Sequence, residues 1–210
     1  MSQKKGFIRS LKRRYDKGRW ERRYAEAILR GEYALPPQHV KMATLKNNFP
    51  SPRPRVFVET GTYNGETVAE MKAFFDRVIS IEIDEGLYRK AKERFRNDGN
   101  VAIVHADCVK GLPEVLAGIR GPAVFWLDGH YSGGGTGKGE VEDPILISLE
   151  QIGRHSVKEH TVFIDDARTF DGMEGRPDIS EVFAKLKSIN KDYVLRIQSD
   201  IIIAKSLRNL

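Results

Sequence analysis

One segment constrains the fold of this chain more than any other, because it combines a strand, a glycine-containing turn and the start of a helix. From residue 56 to residue 68 the sequence is Val-Phe-Val-Glu-Thr-Gly-Thr-Tyr-Asn-Gly-Glu-Thr-Val. Gly61 and Gly65 let the backbone turn sharply and a ligand approach closely, and the free N–H groups at a helix start favour an anionic group. The spacing Glu-x-Gly-x-x-x-Gly differs from the Gly-x-Gly-x-x-Gly of dinucleotide-binding turns. The segment therefore predicts a ligand-facing turn, with an ordinary strand-to-helix turn as the alternative.

Further apolar runs follow this segment, and most are continuous in apolar residues instead of alternating with polar ones. They cover residues 78–82, 101–104, 123–128 and 161–166. This character is typical of strands buried on both faces of a parallel sheet, with helices on each side. Helices are predicted at 66–75, 86–95, around 112–116 and at 179–189. The two final runs, 193–198 and 201–204, are separated only by Ser199 and Asp200, so we expect them to pair antiparallel.

Acidic residues stand where several of these runs end. Glu82 ends the second run, and in nucleotide-type folds an acid at this place accepts hydrogen bonds from ribose hydroxyls. Asp84 and Glu85 compete for that role, but they lie beyond the strand and are typical of charges in the first turn of a helix. Glu82 is therefore the predicted ribose ligand.

Three more carboxylates follow the fourth and fifth runs, namely Asp128, Asp165 and Asp166. Carboxylates from two strand ends would repel one another unless a hard cation lay among them, and magnesium prefers oxygen ligands. A bound cation would also lower the pKa of a coordinated hydroxyl. The alternative is that Asp165 or Asp166 caps the segment that follows it.

From about residue 55 to the C-terminus the chain resembles class I S-adenosylmethionine-dependent methyltransferases. It is most similar to metal-dependent O-methyltransferases of the catechol and macrocin types. The resemblance is carried by residues 59–67, by residues 79–83 and by the pairing of Asp128 with Asp165-Asp166. It implies an α/β fold: a Rossmann-like three-layer sandwich around a mostly parallel seven-stranded sheet with an antiparallel C-terminal strand. It also implies S-adenosylmethionine as cofactor and magnesium as the cation at the three aspartates.

The resemblance further implies which residues contact the cofactor. The first motif would contact the methionine part, Glu82 the ribose, and the residues after the third strand the adenine. Carried over by position, the cofactor-binding residues are Glu59, Gly61, Thr62, Tyr63, Gly65, Thr67, Glu82, Asp107 and Cys108.

The general base does not carry over from the family. Tyr131 stands where catechol-type enzymes have a lysine, and His130 is the neighbouring titratable group. With a reference pKa near 6.5, histidine can accept the proton that hydroxyl methylation releases. His130 and Asp128 are therefore the candidate catalytic residues, although a surface histidine or a substrate hydrogen-bond donor is the alternative for His130. The glycine-rich segment 132–139 is predicted to be a lid, or else a plain flexible loop.

Positive charge is concentrated at the N-terminus. Residues 1–30 contain eleven Lys or Arg and three acids, a net of +8, so the rest of the chain carries −2 of the overall +6. We expect residues 1–54 to be a basic, partly helical extension and residues 55–210 to be the cofactor-binding domain. The extension either stays solvated or binds a phosphate-rich partner such as nucleic acid.

The sequence contains no apolar run of the length that a membrane span requires and no signal-peptide pattern, and Cys108 is its single cysteine. We expect a cytoplasmic protein and leave its oligomeric state open, a dimer included. The leading hypothesis is magnesium-assisted O-methylation of a small-molecule or sugar hydroxyl. The alternatives are a nucleic-acid methyltransferase that uses the basic extension, and a non-catalytic S-adenosylmethionine-binding module. The glycine spacing disfavours a dehydrogenase.

Overall fold

A seven-stranded sheet forms the centre of the molecule, and its strand order is β3-β2-β1-β4-β5-β7-β6. The computed structural model describes residues 18–128, 144–173 and 175–207. The strands are β1 (Val56–Thr60), β2 (Arg77–Glu82), β3 (Val101–His105), β4 (Ala123–Leu127), β5 (Thr161–Ile164), β6 (Tyr193–Gln198) and β7 (Ile201–Ser206). The helices are α1 (18–29), α2 (Gln38–Asn47), α3 (Glu66–Met71), α4 (Glu85–Arg94), α5 (Cys108–Ala117), α6 (Ile145–Arg154) and α7 (Ile179–Ile189), and a short 3₁₀ helix covers Ala167–Thr169.

The first five strands are mutually parallel, and β7 is antiparallel to both of its neighbours, β5 and β6. All residues of β4, β5 and β7 are buried. This burial explains why these strands are continuous apolar runs in the sequence. The predicted fold class, with its antiparallel C-terminal strand, is confirmed.

Helices cover both faces of the sheet and create two apolar cores. On one face the core includes residues of α2, α3 and α4: Met42, Leu45, Val68, Met71 and Ala91. On the other face it includes residues of α5, α6 and α7: Leu112, Leu149, Ile152, Val182 and Leu186. The arrangement is a three-layer sandwich, as the resemblance implied.

Two helices lie where the sequence gives no helix bounds. Helix α6 begins directly after Pro144, in the connection between the fourth and fifth strands. Helix α2 lies within residues 1–54, which the sequence predicts to be only partly helical, and it stands between prolines with few apolar residues of its own. Met42 and Leu45 are nevertheless buried, so tertiary packing stabilises a helix that its local pattern indicates weakly.

The β6–β7 hairpin turns through Ser199 and Asp200, whose φ angles are 51° and 61°. Two successive positive φ values are typical of the type I′ turn, which matches the right-handed twist of the flanking strands. Among the helices of residues 18–128, 144–173 and 175–207, none combines the length and the apolar content that a membrane span requires.

Candidate active site

The parallel strands end together at one edge of the sheet. Thr60 of β1 is in register with Ile81 of β2 and with Leu127 of β4, and Leu127 is in register with Ile164 of β5. The segments that follow these strand ends are therefore neighbours. Ligands of open α/β sheets bind at this edge, which is where the predicted site residues gather.

The glycine turn after β1 has backbone angles that few residues adopt. Gly61, Tyr63 and Gly65 have φ angles of 88°, 47° and 70°. A Cβ atom at Gly65 would lie 2.7 Å from a ring carbon of Phe95, so the turn has no space for a side chain at this position. Gly65 immediately precedes α3, and the turn therefore brings the helix start to the sheet edge.

Glu82 is fixed by two backbone N–H groups. Its side chain accepts a hydrogen bond of 2.8 Å from the N–H of Tyr63 and one of 2.9 Å from the N–H of Asp84. Asp84 caps α4 by accepting from the N–H of Leu87 at 2.8 Å. The structure therefore places Glu82 against the glycine turn and Asp84 at a helix start. A carboxylate has about four acceptor positions, so Glu82 keeps the capacity to accept from ribose hydroxyls.

Glu59 lies beneath the glycine turn and is only 1% exposed. Ser80 donates a hydrogen bond of 2.5 Å to its carboxylate, and the hydroxyls of Thr62 and Ser80 are 2.6 Å apart. Burial raises the pKa of Glu59 to about 8, against the opposing effect of hydrogen bonds from Ser80 and Thr67. Glu59 therefore supports the turn from below. The side chain of Tyr63 is 56% exposed, whereas those of Glu59, Thr62 and Thr67 are buried.

Asp107 and Cys108 lie where β3 passes into α5. The side chain of Asp107 caps α5 by accepting from the N–H of Val109 at 2.8 Å. Cys108 is the first residue of α5 and is half-buried. The adjacent Ala106 donates its N–H to the carbonyl of Glu82 at 3.0 Å, so this corner adjoins the predicted ribose ligand.

The three aspartates predicted to bind metal are brought together. One carboxylate oxygen from each of Asp128, Asp165 and Asp166 lies within 4.8 Å of the others. Asp165 is buried, and Asp166 has a left-handed backbone with φ 53°. Aspartate is one of the few residues other than glycine that adopt this conformation readily. We refer to these three residues as the acid cluster.

A lysine that the sequence analysis missed reaches the acid cluster from α2. The Nζ atom of Lys41 lies 2.6 Å from Asp165 Oδ1 and 2.9 Å from Asp166 Oδ1. Arg168 Nη1 pairs with Asp166 at 2.7 Å and also with Asp200 of the hairpin turn. Lys41 is more than one hundred residues from its partners in sequence, and no motif spacing marks it.

The environment of each carboxylate shifts its pKa. Burial and the nearby charges of Asp165 and Asp166 raise the pKa of Asp128 well above its ordinary value. Burial also raises the pKa of Asp165, despite the opposing charge of Lys41. For Asp166 burial acts in the same direction, but hydrogen bonds from Arg168 and Lys41 outweigh it and lower the pKa. The same two aspartates raise the pKa of Lys41 although burial opposes this.

The donor set of the acid cluster fits a divalent cation. When all groups are ionised, the acid cluster and Asp200 contribute four negative charges, while Lys41 and Arg168 contribute two positive ones, a balance of −2. Carboxylate oxygens are the ligands that magnesium prefers. The acidic charge therefore exceeds what Lys41 and Arg168 can offset, which favours a divalent cation among the carboxylates.

The predicted base and lid lie outside the described residues. These are His130, its neighbour Tyr131 and the glycine-rich segment 132–139. Asp128, the last residue described before them, donates its N–H to the carbonyl of Thr60 at 3.2 Å. In the sequence, His130 comes two residues after Asp128, whose backbone is fixed at the sheet edge.

Comparison with solved structures confirms the fold and its resemblance to methyltransferases. An O-methyltransferase from Bacillus cereus in complex with SAH has 14% identity and a TM-score of 0.59, over 90% of each chain. TomG, an O-methyltransferase from Streptomyces achromogenes in complex with SAM, has 13% identity and a TM-score of 0.59, over 89% of this chain and 88% of TomG. A putative rRNA-methylase from Clostridium thermocellum has 13% identity and a TM-score of 0.54, over 80% of this chain and 95% of its own.

At this level of identity, the likeness concerns the fold. A scan of family models finds no match to the sequence, and a search of curated proteins finds none either. The structural neighbours include proteins named for small-molecule pathways and for ribosomal RNA, so the shared fold does not identify the acceptor.

Proposed function

We propose that this chain is an S-adenosylmethionine-dependent methyltransferase that methylates a hydroxyl of a small molecule or sugar with the help of magnesium. The observation that carries the proposal is that the glycine turn, Glu82 and the acid cluster lie at the same edge of the sheet. The neighbours that hold SAH or SAM share this fold. Two of them are named O-methyltransferases, which supports a hydroxyl acceptor.

Of the predicted cofactor-binding residues, some would contact the cofactor and others would support the glycine turn. Glu82 would accept hydrogen bonds from the ribose, and the turn from Gly61 to Gly65 would border the methionine part. Asp107 and Cys108 would border the adenine. Glu59, Thr62 and Thr67 are buried and would act by fixing the turn against Ser80. This division is consistent with the burial of Glu59, which raises the pKa of its carboxyl to about 8.

Methyl transfer from a sulfonium is an in-line displacement. The acceptor oxygen forms a bond to the methyl carbon, the carbon–sulfur bond breaks, and its electron pair stays on the sulfur of the neutral product. The hydroxyl proton must also be removed, and we assign it to His130. Asp128, Asp165 and Asp166 would hold the magnesium ion, which supplies Lewis-acid stabilisation of the developing alkoxide.

The domain division expected from the sequence belongs to this proposal. Residues 55–210 would bind the cofactor, and residues 1–54 would form an N-terminal extension whose helix α2 packs against the sheet. The cytoplasmic location stays a prediction.

A labelled-methyl transfer assay tests the proposal. The purified chain is incubated with methyl-labelled S-adenosylmethionine and separate pools of phenolic, sugar and RNA acceptors, with magnesium or with a chelator. We expect label in the phenolic or the sugar pool and a large loss of transfer in the chelator. Full transfer in the chelator would remove the metal from the mechanism. Transfer only to RNA would instead favour the nucleic-acid alternative.

A further inference from the structure

Lys41 is held firmly in its position, although it belongs to the segment that precedes the first strand. Its neighbour in α2, Met42, is 3% exposed, and Leu45 is fully buried in the core beneath the helix. Thr44 donates a hydrogen bond of 2.9 Å to Ser199 in the β6–β7 turn. Helix α2 is thus fixed both to the sheet and to the hairpin beside the acid cluster.

The ammonium group of Lys41 contacts the oxygens that a metal ion would need. Its Nζ atom bonds Asp165 Oδ1 and Asp166 Oδ1, and its side chain is only 11% exposed. Magnesium binds carboxylate oxygens at about 2.0–2.1 Å, so an ion held by these atoms would lie against the ammonium. A magnesium ion and an ammonium group that share the same carboxylate oxygens in a mostly buried site repel each other strongly.

We propose that Lys41 is the resident cation of the acid cluster and that a divalent metal binds there by displacing it. The inference deepens the proposed function, since it concerns the regulation of the same metal site. Lys41 partly offsets the negative charge of Asp165 and Asp166 while metal is absent. The side chain of Lys41 therefore lowers the metal affinity of the cluster.

The position of Lys41 on α2 couples metal binding to the N-terminal segment. When metal displaces the ammonium, α2 loses its ion pairs to Asp165 and Asp166 but keeps its apolar contacts. The helix should then be less firmly held than in the metal-free protein. By linkage, a partner that binds only when α2 is loosened and the metal ion should raise each other's affinity by the same factor.

Calorimetric titration of the full chain with Mg²⁺, and with Mn²⁺ as a second probe, tests the competition. Lys41→Met removes the charge and keeps an apolar stem of similar length, whereas Lys41→Arg keeps the charge. Lys46→Met is the matched control, because Lys46 lies on the same helix and pairs with the half-exposed Glu70.

We expect Lys41→Met to bind metal roughly tenfold or more tightly than the wild type. Lys41→Arg and Lys46→Met should stay close to the wild type. A Lys41→Met protein that binds metal no more tightly than the wild type would overturn the proposal.

A parallel titration with SAH separates this inference from the proposed function. Tighter metal binding by Lys41→Met without SAH binding by any variant would support the competition and contradict the cofactor assignment. SAH binding without metal binding by any variant would overturn the competition and leave the cofactor assignment standing.

Hydrogen exchange of the wild type provides a measurement that does not depend on how the variants fold. Saturating Mg²⁺ should accelerate amide exchange in residues 38–47 and leave α7 unchanged. Metal binding without any change in residues 38–47 would overturn the proposed displacement.

Discussion

At the scale of single residues, carboxylates within one edge of the sheet have opposite electrostatic roles. Glu82 accepts two backbone N–H groups, whereas Glu59 is enclosed beneath the turn with a pKa of about 8. Against the effect of burial, hydrogen bonds from Arg168 and Lys41 lower the pKa of Asp166, whereas burial and the charges of Asp165 and Asp166 raise the pKa of Asp128. The site therefore combines a carboxyl whose pKa is lowered with carboxyls whose pKa is raised.

The raised pKa of Glu59 predicts a specific pH dependence of stability. Between pH 5 and 8 the folded state keeps the Glu59 proton, whereas the unfolded chain has lost it, so the free energy of unfolding falls as pH rises. Glu59→Gln should remove this contribution. The difference between wild type and variant should change by up to about 1.4 kcal/mol per pH unit over this range, to the advantage of the variant at higher pH.

Urea unfolding of both proteins at pH 5.5, 6.5 and 7.5 measures this difference. The exposed Glu70→Gln should show no comparable trend, because Glu70 is half exposed and pairs only at the surface. A Glu59→Gln curve that runs parallel to the wild-type curve would show that Glu59 is ionised in the folded protein.

The general base is tested by removing the histidine that follows Asp128. If His130 takes the hydroxyl proton, His130→Ala should lower kcat by about 10²–10⁴-fold and flatten the acidic limb of the pH–rate profile. The affinities for SAH and Mg²⁺ should change little. Normal turnover with an unchanged pH profile would assign the proton to another group, with Tyr131 and Asp128 as the next candidates.

At the scale of elements, the sequence and the structure agree where a local pattern is strong. The five parallel strands, α7 and the β6–β7 hairpin could be predicted from continuous apolar runs, helical periodicity and a two-residue turn. Helix α2 could not, since its stability comes from Met42 and Leu45 packing on strands that are distant in sequence. The contact between Lys41 and Asp165 depends on that packing, and no residue spacing reports it.

The candidate site divides in the same way. The strand-end acids Glu82, Asp128, Asp165 and Asp166 could be located because parallel strands place their carboxyl ends at one edge. The burial of Glu59 under the turn could not, because it depends on Ser80 of the neighbouring strand. The motif of residues 59–67 can thus be recognised from the sequence, but the sequence does not show which of its residues face the ligand.

The geometry of the glycine turn predicts that a methyl group added at Gly65 lowers both stability and SAH affinity. Gly65→Ala would place a Cβ 2.7 Å from Phe95 at a φ of 70°, so the turn must shift. We expect a loss of about 1–3 kcal/mol in unfolding free energy, together with weaker SAH binding. Chemical unfolding and calorimetry measure the two effects.

Gly99→Ala is the matched control for this substitution. A Cβ at Gly99 would meet nothing within 4 Å, and we expect a change within about 0.5 kcal/mol. Equal effects of the two substitutions would show that the turn adapts to a side chain at residue 65.

At the scale of the whole molecule, the basic N-terminal segment is a second feature, distinct from the candidate site at the sheet edge. The net positive charge of the chain comes from residues 1–30, and the described part of this region, α1, exposes Arg19, Arg22 and Arg23. Trp20 is 45% exposed on the same helix. Arginines beside an aromatic ring are suited to contact phosphates and bases of single-stranded RNA.

The nucleic-acid alternative predicts a salt-dependent affinity that originates in α1. If this helix binds RNA, replacing Arg19, Arg22 and Arg23 by Gln should weaken binding and reduce the slope of log K against log salt by up to about 2. Fluorescence anisotropy with a single-stranded RNA at several salt concentrations measures the slope. Replacing the exposed Arg89, Lys90 and Lys92 of α4 by Gln removes the same charge elsewhere and should have a smaller effect. Equal losses in the two triple variants would attribute binding to net charge alone.

The central claim, that the edge formed by β1 and β2 binds S-adenosylmethionine, is tested most directly by calorimetric titration with SAH. We expect the wild type to bind one SAH, and Glu82→Gln to bind it about 1–3 kcal/mol more weakly, because a charged acceptor for the ribose is lost. Glu85→Gln, which changes an exposed acid at the start of α4, should bind like the wild type. The thermal transition of each variant shows that it is folded. Absence of SAH binding by the folded wild type, or equal affinities of wild type and Glu82→Gln, would contradict the account.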